Sequence, residues 1–208
     1  MMCDRTHFCL TLGSTYHIGD YTTVEFMFKA LYSDSITLHL ITDDNLSQVY
    51  DLFQGFPDSK PMLEEMFQHY IPKYEKGRQV NYGFYAMLAD QLAGMSLLSI
   101  DSWQERSGST GADVFEHMRG RGVTPRSKAH LFYVAFELLE LNRVATGCLI
   151  SNQSSKRSIE KTVGFQFEGI SRESGINEQG EFEDEYIYSI LRRDWLKLYD
   201  KSQVQVIA

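Results

Sequence analysis

The sequence predicts a single α/β (α+β) domain, and three observations predict it. The chain has 208 residues, room for one sizeable core but not for two. Its composition, 43% hydrophobic and 23% charged, is that of an ordinary globular domain. The order of its periodic segments says most. One strand is followed by two helices, three strands, a glycine-rich turn opening a helix, a strand, a helix and two strands.

Residues 1–35 precede that series as an N-terminal extension. Within them TTVEFMFKALYS alternates in part, which suits an added strand or hairpin against 36–42, or a dimer contact. SITLHLITDDN places Ile36, Leu38 and Leu40 on one side, the mark of a strand. Thr42 is then a suitable N-cap, with Asp43 and Asp44 as first-turn acids, for a helix through NLSQVYDLF. Pro57-Asp58-Ser59 stops that helix. Pro61 stands near the start of another, with Met62, Met66, Tyr70 and Tyr74 at helical spacing. NYGFYAMLAD and LAGMSLLSID read as a hairpin turning at Asp90-Gln91. The Ser/Gly-rich stretch 106–111 reads as a loop and residues 112–117 as a strand. In RSKAHLFYVAFELLEL, residues Leu131, Phe132, Ala135, Phe136 and Leu139 make one apolar helix face, while His130, Tyr133, Glu137 and Glu140 lie elsewhere. RVATGCLI is a strand. SNQSSKRSIEKTVGF is a short helix ending at Gly164 as C-cap. FQFEGISRES and EDEYIYSILRRDW complete the series as two strands, the second running into a helical tail.

The stretch MRGRGVTPRS, residues 118–127, carries three arginines and two glycines in a chain of net charge −8. A phosphate cradle, an arginine–glycine nucleic-acid patch and a solvated basic turn all suit such a composition. A pI near 5.2 argues against the second, because nucleic-acid binding needs a basic face. Thr124 as N-cap and Pro125 at the first helical position would give strand, glycine-rich turn and helix N-terminus in succession. That arrangement exposes backbone N–H groups at the positive end of a helix dipole, which is an anion site. Neither GxxxxGK with Ser or Thr nor GxGxxG is present, which argues against a nucleotide P-loop. Spacing alone leaves phosphate binding and a basic turn both open.

Other classes are excluded more simply. Cys3, Cys9 and Cys148 form no CxxC pair and are odd in number, which suits a reducing compartment rather than a disulfide framework or a zinc site. No basic start precedes an apolar run, and no apolar stretch approaches 18 residues. The expectation is a cytoplasmic protein with no membrane span, no nucleic-acid partner and no metal.

Four segments, in order, resemble the GNAT acyl-CoA N-acyltransferase superfamily over roughly Ser35 to Leu198. Arg119 and Gly122 match its coenzyme turn, R/Q-x-x-G-x-G/A, whereas Thr124 departs from it where Gly or Ala is usual. NQSSKRSIEK followed by Gly164-Phe165 resembles the N-x-x-S…E-K…G-F segment, with one extra residue before the glycine. EGISRE and GEFEDEYIYSILRRDW resemble the endings of the ribosomal-protein N-acetyltransferase (RimJ/RimL-like) branch.

The resemblance implies a GNAT domain over residues 36–208, with a mixed, mostly antiparallel splayed sheet and helices on both faces. It implies that the sheet opens between the strands at 112–117 and 143–150, and that acetyl-CoA is the co-substrate there. The pantetheine arm would pair with backbone around Val114, Phe115 and Glu116. The pyrophosphate would rest on the turn of Arg119, Arg121, Gly122, Val123, Thr124 and Arg126, on the amides of Arg121, Gly122, Thr124 and Arg126; Asn152 would be a further coenzyme contact. Ser155, at the N-x-x-S position, is the candidate acid for the departing thiolate and also a candidate helix cap. Glu173 is the candidate base, with Glu116 and His117 as alternatives. A backbone N–H of 113–116 would serve the oxyanion. Tyr188 and Trp195 read as core residues, and Cys148 as a buried small hydrophobe. The acceptor would be a primary amine, either a peptide N-terminus or a small cationic amine, drawn to the acidic run Glu178, Glu181, Glu183, Asp184 and Glu185. A non-catalytic coenzyme-binding or interaction module is the alternative, and a homodimer is a possible assembly. His39 stands where this branch commonly has arginine.

Overall fold

In the computed structural model, which describes residues 16–18, 21–23, 30–33, 36–54, 67–200 and 204–207, the alternating segments assemble into one large sheet. Among the described residues, strands β1 (Tyr16–Ile18) and β2 (Tyr21–Thr23) form a two-stranded sheet of their own. The ten-stranded sheet contains β3 (Ala30–Ser33), β4 (Ile36–Leu40), β5 (Lys73–Glu75), β6 (Arg78–Leu88), β7 (Gln91–Ser102), β8 (Ser107–Val114), β9 (Arg143–Leu149), β10 (Gln166–Ile176), β11 (Phe182–Leu191) and β12 (Gln205–Ile207). Their order is β10-β11-β9-β8-β7-β6-β4-β3-β12, with β5 also pairing β6. Every pairing is antiparallel except that of β8 with β9. The helices described over their full length are α1 (Leu46–Gln54), α2 (Val123–Tyr133), α3 (Gln153–Glu160) and α4 (Arg192–Leu198), and residues 67–70 are helical as well.

Helices cover both faces, as the pleat of β6 makes plain. Tyr82, Phe84 and Ala86 point into the larger core with Leu131, Phe132, Ala135 and Phe136 of the α2 segment. Tyr85 and Met87, which alternate with them, point into a second core with Val49 and Phe53 of α1 and Tyr70. The predicted face of the long helix is buried as expected, from Leu131 at 0% to Leu139 at 6% exposure. His130 corrects the reading. It is fully buried, and its Nδ1 sits 2.8 Å from the Arg126 carbonyl oxygen. The helix also continues past Tyr133 as a π-helical turn, Val134–Leu138, closed by a Leu139 N–H to Val134 O bond.

Several expected boundaries move. The hairpin turns at Ala89-Asp90, both at positive φ, one residue before the expected Asp90-Gln91. The strand expected at 112–117 is instead β8, beginning at Ser107 and ending at Val114, with a 3-10 turn over Glu116–Met118. Gly108 lies so close to β7 that a Cβ there would stand 2.6 Å from the Ser99 carbonyl oxygen, so the glycine belongs to a strand and not to a loop. The N-cap of α2 is Gly122 rather than Thr124, which puts Pro125 third in the helix rather than first. Helix α3 ends at Glu160 with Lys161 as C-cap, before Gly164. Helix α1 begins only at Leu46, so Thr42 is not its N-cap, and Asp43 and Asp44 precede a first turn that holds no acid. Thr42 closes the turn before the helix instead, its N–H bonding Asn45 Oδ1 at 2.9 Å and its Oγ1 accepting from the Asn45 N–H at 3.3 Å. The proline breaks at 57 and 61, Met62, Met66, Cys3 and Cys9 lie outside the described residues; of the helical series, Tyr70 is helical but Tyr74 belongs to strand β5.

Candidate functional site

The sheet opens where its one parallel pairing stops. Ser107, Gly108 and Ser109 of β8 pair with Arg143, Val144 and Ala145 of β9, and no later residues of β8 pair with β9. At the fork Thr146 Oγ1 donates to the Thr110 carbonyl at 2.8 Å, a side-chain bond standing where the next rung would be. That bond shows which way β8 faces. The Thr110 carbonyl points toward β9, whereas the Phe115 N–H points back to the Ala93 carbonyl of β7 at 3.1 Å. Because the N–H and C=O of one strand residue share a side, and sides alternate, Ala112 and Val114 turn their backbone groups into the gap. Val114, expected to pair with the coenzyme arm, thus turns its backbone toward the gap. Phe115 has its N–H committed to β7, and Glu116 has entered the 3-10 turn.

The chain then passes from this gap into the N-terminus of α2. Gly120 and Gly122 take left-handed conformations, φ +76° and +73°, which glycine adopts without steric cost. Space over the turn is open: nothing lies within 4 Å of a Cβ built on Gly120, and only the Arg126 guanidinium is near one built on Gly122. No side chain caps α2. Among the described residues the N–H groups of Arg121, Gly122, Val123 and Thr124 have no acceptor, the condition that favours an anion. Arg126 differs from expectation. The helix register assigns its N–H to the Gly122 carbonyl, so it brings its guanidinium instead, with Nε donating to the Gly122 carbonyl at 3.1 Å and Nη2 to that of Arg121. Val123 is 4% exposed and anchors the turn to the core, while Arg119 is exposed.

Across the gap, β9 leads into α3. Asn152 is the cap: its Oδ1 accepts the Ser155 N–H at 2.9 Å. Ser155 is therefore the residue being capped, and its hydroxyl is not the cap. Nearby, burial pushes the Cys148 thiol up in pKa, and the Ser155 side chain partly offsets that. Cys148, Tyr188 and Trp195 are buried, as read from the sequence. Glu173 sits in the bulge of the edge strand β10, at φ +50°, with its N–H on Asp184 Oδ1 at 2.8 Å. β11 lies between β10 and β9, so strand order does not bring Glu173 to the gap. Glu116 and His117 lie at the end of β8, where His117 stacks on Phe115 at 6.0 Å.

Much of the acidic run is engaged locally. Glu183 accepts from both the N–H and the hydroxyl of Ser151, at 2.5 and 3.0 Å. Glu185 accepts from Ser174 Oγ at 2.8 Å. These carboxylates brace the β9–α3 turn and the β10–β11 hairpin, so part of their charge is local scaffolding. Three groups at the gap escaped the sequence reading. Asp113 is exposed on β8, and the buried Tyr70 donates its hydroxyl to Asp113 Oδ2 at 2.6 Å. The third is Lys128 of α2, fully buried, with Nζ 3.0 Å from Thr110 Oγ1. No spacing links Tyr70 to Asp113 across 43 residues, and a lysine in a helix normally reads as surface.

Residues 28–166 match the family model of the acetyltransferase (GNAT) domain. The chain is 35% identical over 182 residues to the "Putative ribosomal N-acetyltransferase YdaF" of Bacillus subtilis (strain 168), covering 81% of this chain and 98% of that one. Among solved structures, a chimera of the spermidine N-acetyltransferase SpeG from Vibrio cholerae with hSSAT superposes with a TM-score of 0.60 at 19% identity, over 79% of this chain and 99% of that one. The N152L mutant of the Vibrio cholerae enzyme superposes with a TM-score of 0.57 at 16% identity, over 78% and 96% of the two chains. At those identities the structures establish the fold.

Proposed function

This chain belongs to the GNAT acetyltransferase family, and on that premise we propose that it transfers an acetyl group from acetyl-CoA, held in the β8/β9 gap, to a primary amine. One observation supports this above the others: the gap with the inward-facing backbone of Ala112 and Val114 opens directly onto the uncapped turn of Arg121 to Thr124. An extended amide-bearing arm suits the first and a pyrophosphate the second. The residues present fit the coenzyme, because the turn has open space above both glycines and donors without acceptors. Pro125 offers no N–H there, a loss worth about 1 kcal/mol.

Direct transfer needs little from the protein beyond positioning and charge. The amine nitrogen bonds to the thioester carbon, the carbonyl pair moves to oxygen, and on collapse the C–S bond breaks with the pair leaving on sulfur. A backbone N–H of the 113–116 segment serves the oxyanion; the Ser155 hydroxyl delivers a proton to the sulfur and is restored by the proton that the nitrogen sheds on becoming an amide. The ammonium of the acceptor loses its proton to a carboxylate or imidazole at the end of β8, where Asp113, Glu116 and His117 stand. Exposed Asp113, held by Tyr70, favours a cationic acceptor, which suits a peptide N-terminus or a small polyamine. The names of the relatives, a ribosomal and a spermidine N-acetyltransferase, support the same class. Turnover of acetyl-CoA against N-terminal peptides, polyamines and aminoglycosides, with product mass, tests the reading; no mass gain on any amine would refute it.

Ser155→Ala separates chemistry from binding. The Asn152 bond to the Ser155 N–H is untouched by this change, so α3 keeps its cap. The expected result is a fall in kcat of about 10- to 1000-fold with acetyl-CoA affinity nearly constant. An unchanged kcat in steady-state assays would remove Ser155 from the proton path.

A further inference from the structure

Lys128 is the one described lysine in the buried interior, 2% exposed, and it sits at the closed end of the gap. Its Nζ lies 3.0 Å from Oγ1 of Thr110, the first β8 residue beyond the last rung shared with β9. Thr110 Oγ1 in turn donates to the Leu97 carbonyl at 2.7 Å, and the Thr110 carbonyl accepts from Thr146 at 2.8 Å. Thr110 is thus the knot of the fork, and the lysine holds it from behind. A second polar group lies near. Ser96 of β7, opposite Ala112, is 1% exposed, and its Oγ has no partner among the described residues. An ammonium in such a place uses one of three donors, and burial opposes its charge strongly. A methionine of similar length would fill the space without that cost. Buried charge beside a cleft is a mark of a functional group.

We propose that Lys128 is a positioning residue for acyl transfer: through Thr110 it fixes the closed end of the β8/β9 cleft and sets a positive charge behind the thioester carbonyl. This rests on the cleft being the acyl-CoA site. The charge favours the oxygen that becomes negative as the amine adds. Lys128 itself exchanges no proton in the step: the amine's proton goes to the groups at the end of β8, and the sulfur's comes from Ser155.

Desolvation pulls the Lys128 pKa down to about 7, opposed by the charge of Asp113. Other ionisable groups on the elements around α2 are accounted for differently. Tyr82 of β6 is held neutral by burial, His39 of β4 stacks on Tyr85 on the other face of the sheet, and His130 of α2 itself is biased to the neutral form by burial. Asp101 of β7 accepts from Ser109, and Glu160 of α3 pairs with Lys156. Because the pKa is lowered, the ammonium is present below about pH 7 and lost above it. The full-length protein should therefore show a high-pH limb in kcat near that value.

The experiment compares the parent with Lys128→Met and Lys128→Arg in kcat, acetyl-CoA binding and melting temperature. For Lys128→Met the expected result is a melting temperature equal to or above the parent's, binding within about threefold, a kcat about 10- to 100-fold lower, and no limb near neutrality. Lys128→Arg keeps the charge and should recover most of kcat, with the limb displaced upward. Parental kcat in Lys128→Met across roughly pH 6 to 9 would overturn the proposal. So would a destabilised Lys128→Met whose loss of activity Lys128→Arg does not repair. The parent's own pH profile tests the idea even if the methionine variant does not fold. A parent that neither binds nor turns over acetyl-CoA would instead refute the reading of the cleft.

Discussion

Phe132→Ala is expected to lower the melting temperature by about 6–20 °C, the largest stability loss of any single truncation in the α2 segment. Phe132 has no exposed surface, and it joins parts of the chain that are distant in sequence. Its ring meets Phe165 edge-on at 5.2 Å, Tyr199 edge-on at 5.8 Å, and Phe136 at 6.0 Å. Phe165 follows α3 and Tyr199 follows α4, so this one ring ties the helix below the glycine turn to both later helices. Emptying the site removes its transfer free energy and leaves a void that three aromatic neighbours cannot close without moving. About 3–5 kcal/mol follows, a large share of the 5–15 kcal/mol that holds a typical domain folded. Phe132→Leu keeps most of the volume and should cost less than about 1.5 kcal/mol. Thermal unfolding followed by circular dichroism reads both. Equal melting temperatures for Phe132→Ala and the parent would mean that α2 is not packed as described.

That helix was legible in the sequence because its apolar residues recur at helical spacing, and a period of that kind survives any tertiary context. The strands were legible for the same reason where one face is buried: Ile36, Leu38 and Leu40 alternate, and all three are buried. Residues 106–111 show where pattern fails. Serines and glycines there suggest a loop, yet they form most of β8, because a central strand squeezed against β7 needs small side chains rather than alternating apolar ones. Composition carries the need for small residues but not its cause, which is the approach of the neighbouring backbone.

The candidate site divides in the same way. Its glycine turn is local, a short run of sequence that spacing can reveal, and it stands at a helix start. Its floor is not local. Thr110, Lys128 and Thr146 come from three elements, and Asp113 finds Tyr70 across the sheet face. Each reads singly as a surface residue. The cap assignment failed for a subtler reason: Thr124 is a better capping residue than glycine by preference, but left-handed geometry at Gly122 starts the helix two residues early. The cap of α3 likewise falls to Asn152 rather than Ser155, since both are good caps and only the bond to the Ser155 N–H decides between them.

Gly122→Val is expected to abolish measurable acetyl-CoA binding, a loss of at least about 100-fold, and it carries the heaviest consequence for function. At φ +73° a β-branched residue is strained, so the turn must either hold at a cost of about 1–2 kcal/mol or flip to negative φ. Flipping redirects the N–H groups of Val123 and Thr124, which set the anion site, and it releases the Gly122 carbonyl from Arg126 Nε. Holding leaves two methyl groups over the space that the open turn now keeps clear, with the Arg126 guanidinium 3.4 Å from the new Cβ. Either response removes donors from the pyrophosphate or blocks its approach. The melting temperature should fall by only about 2–8 °C, because the turn is at the surface and the strain is about 1–2 kcal/mol. Calorimetric titration of the folded variant at a temperature well below its transition separates the two effects. Gly120→Val is the control: φ +76° gives the same strain, but nothing lies within 4 Å of its Cβ and it precedes the helix-start amides. Its affinity should drop less than that of Gly122→Val at a similar melting temperature. Equal affinity in Gly122→Val and the parent would place the coenzyme phosphates elsewhere, since no bound pyrophosphate can rest on that turn with a valine side chain in its path.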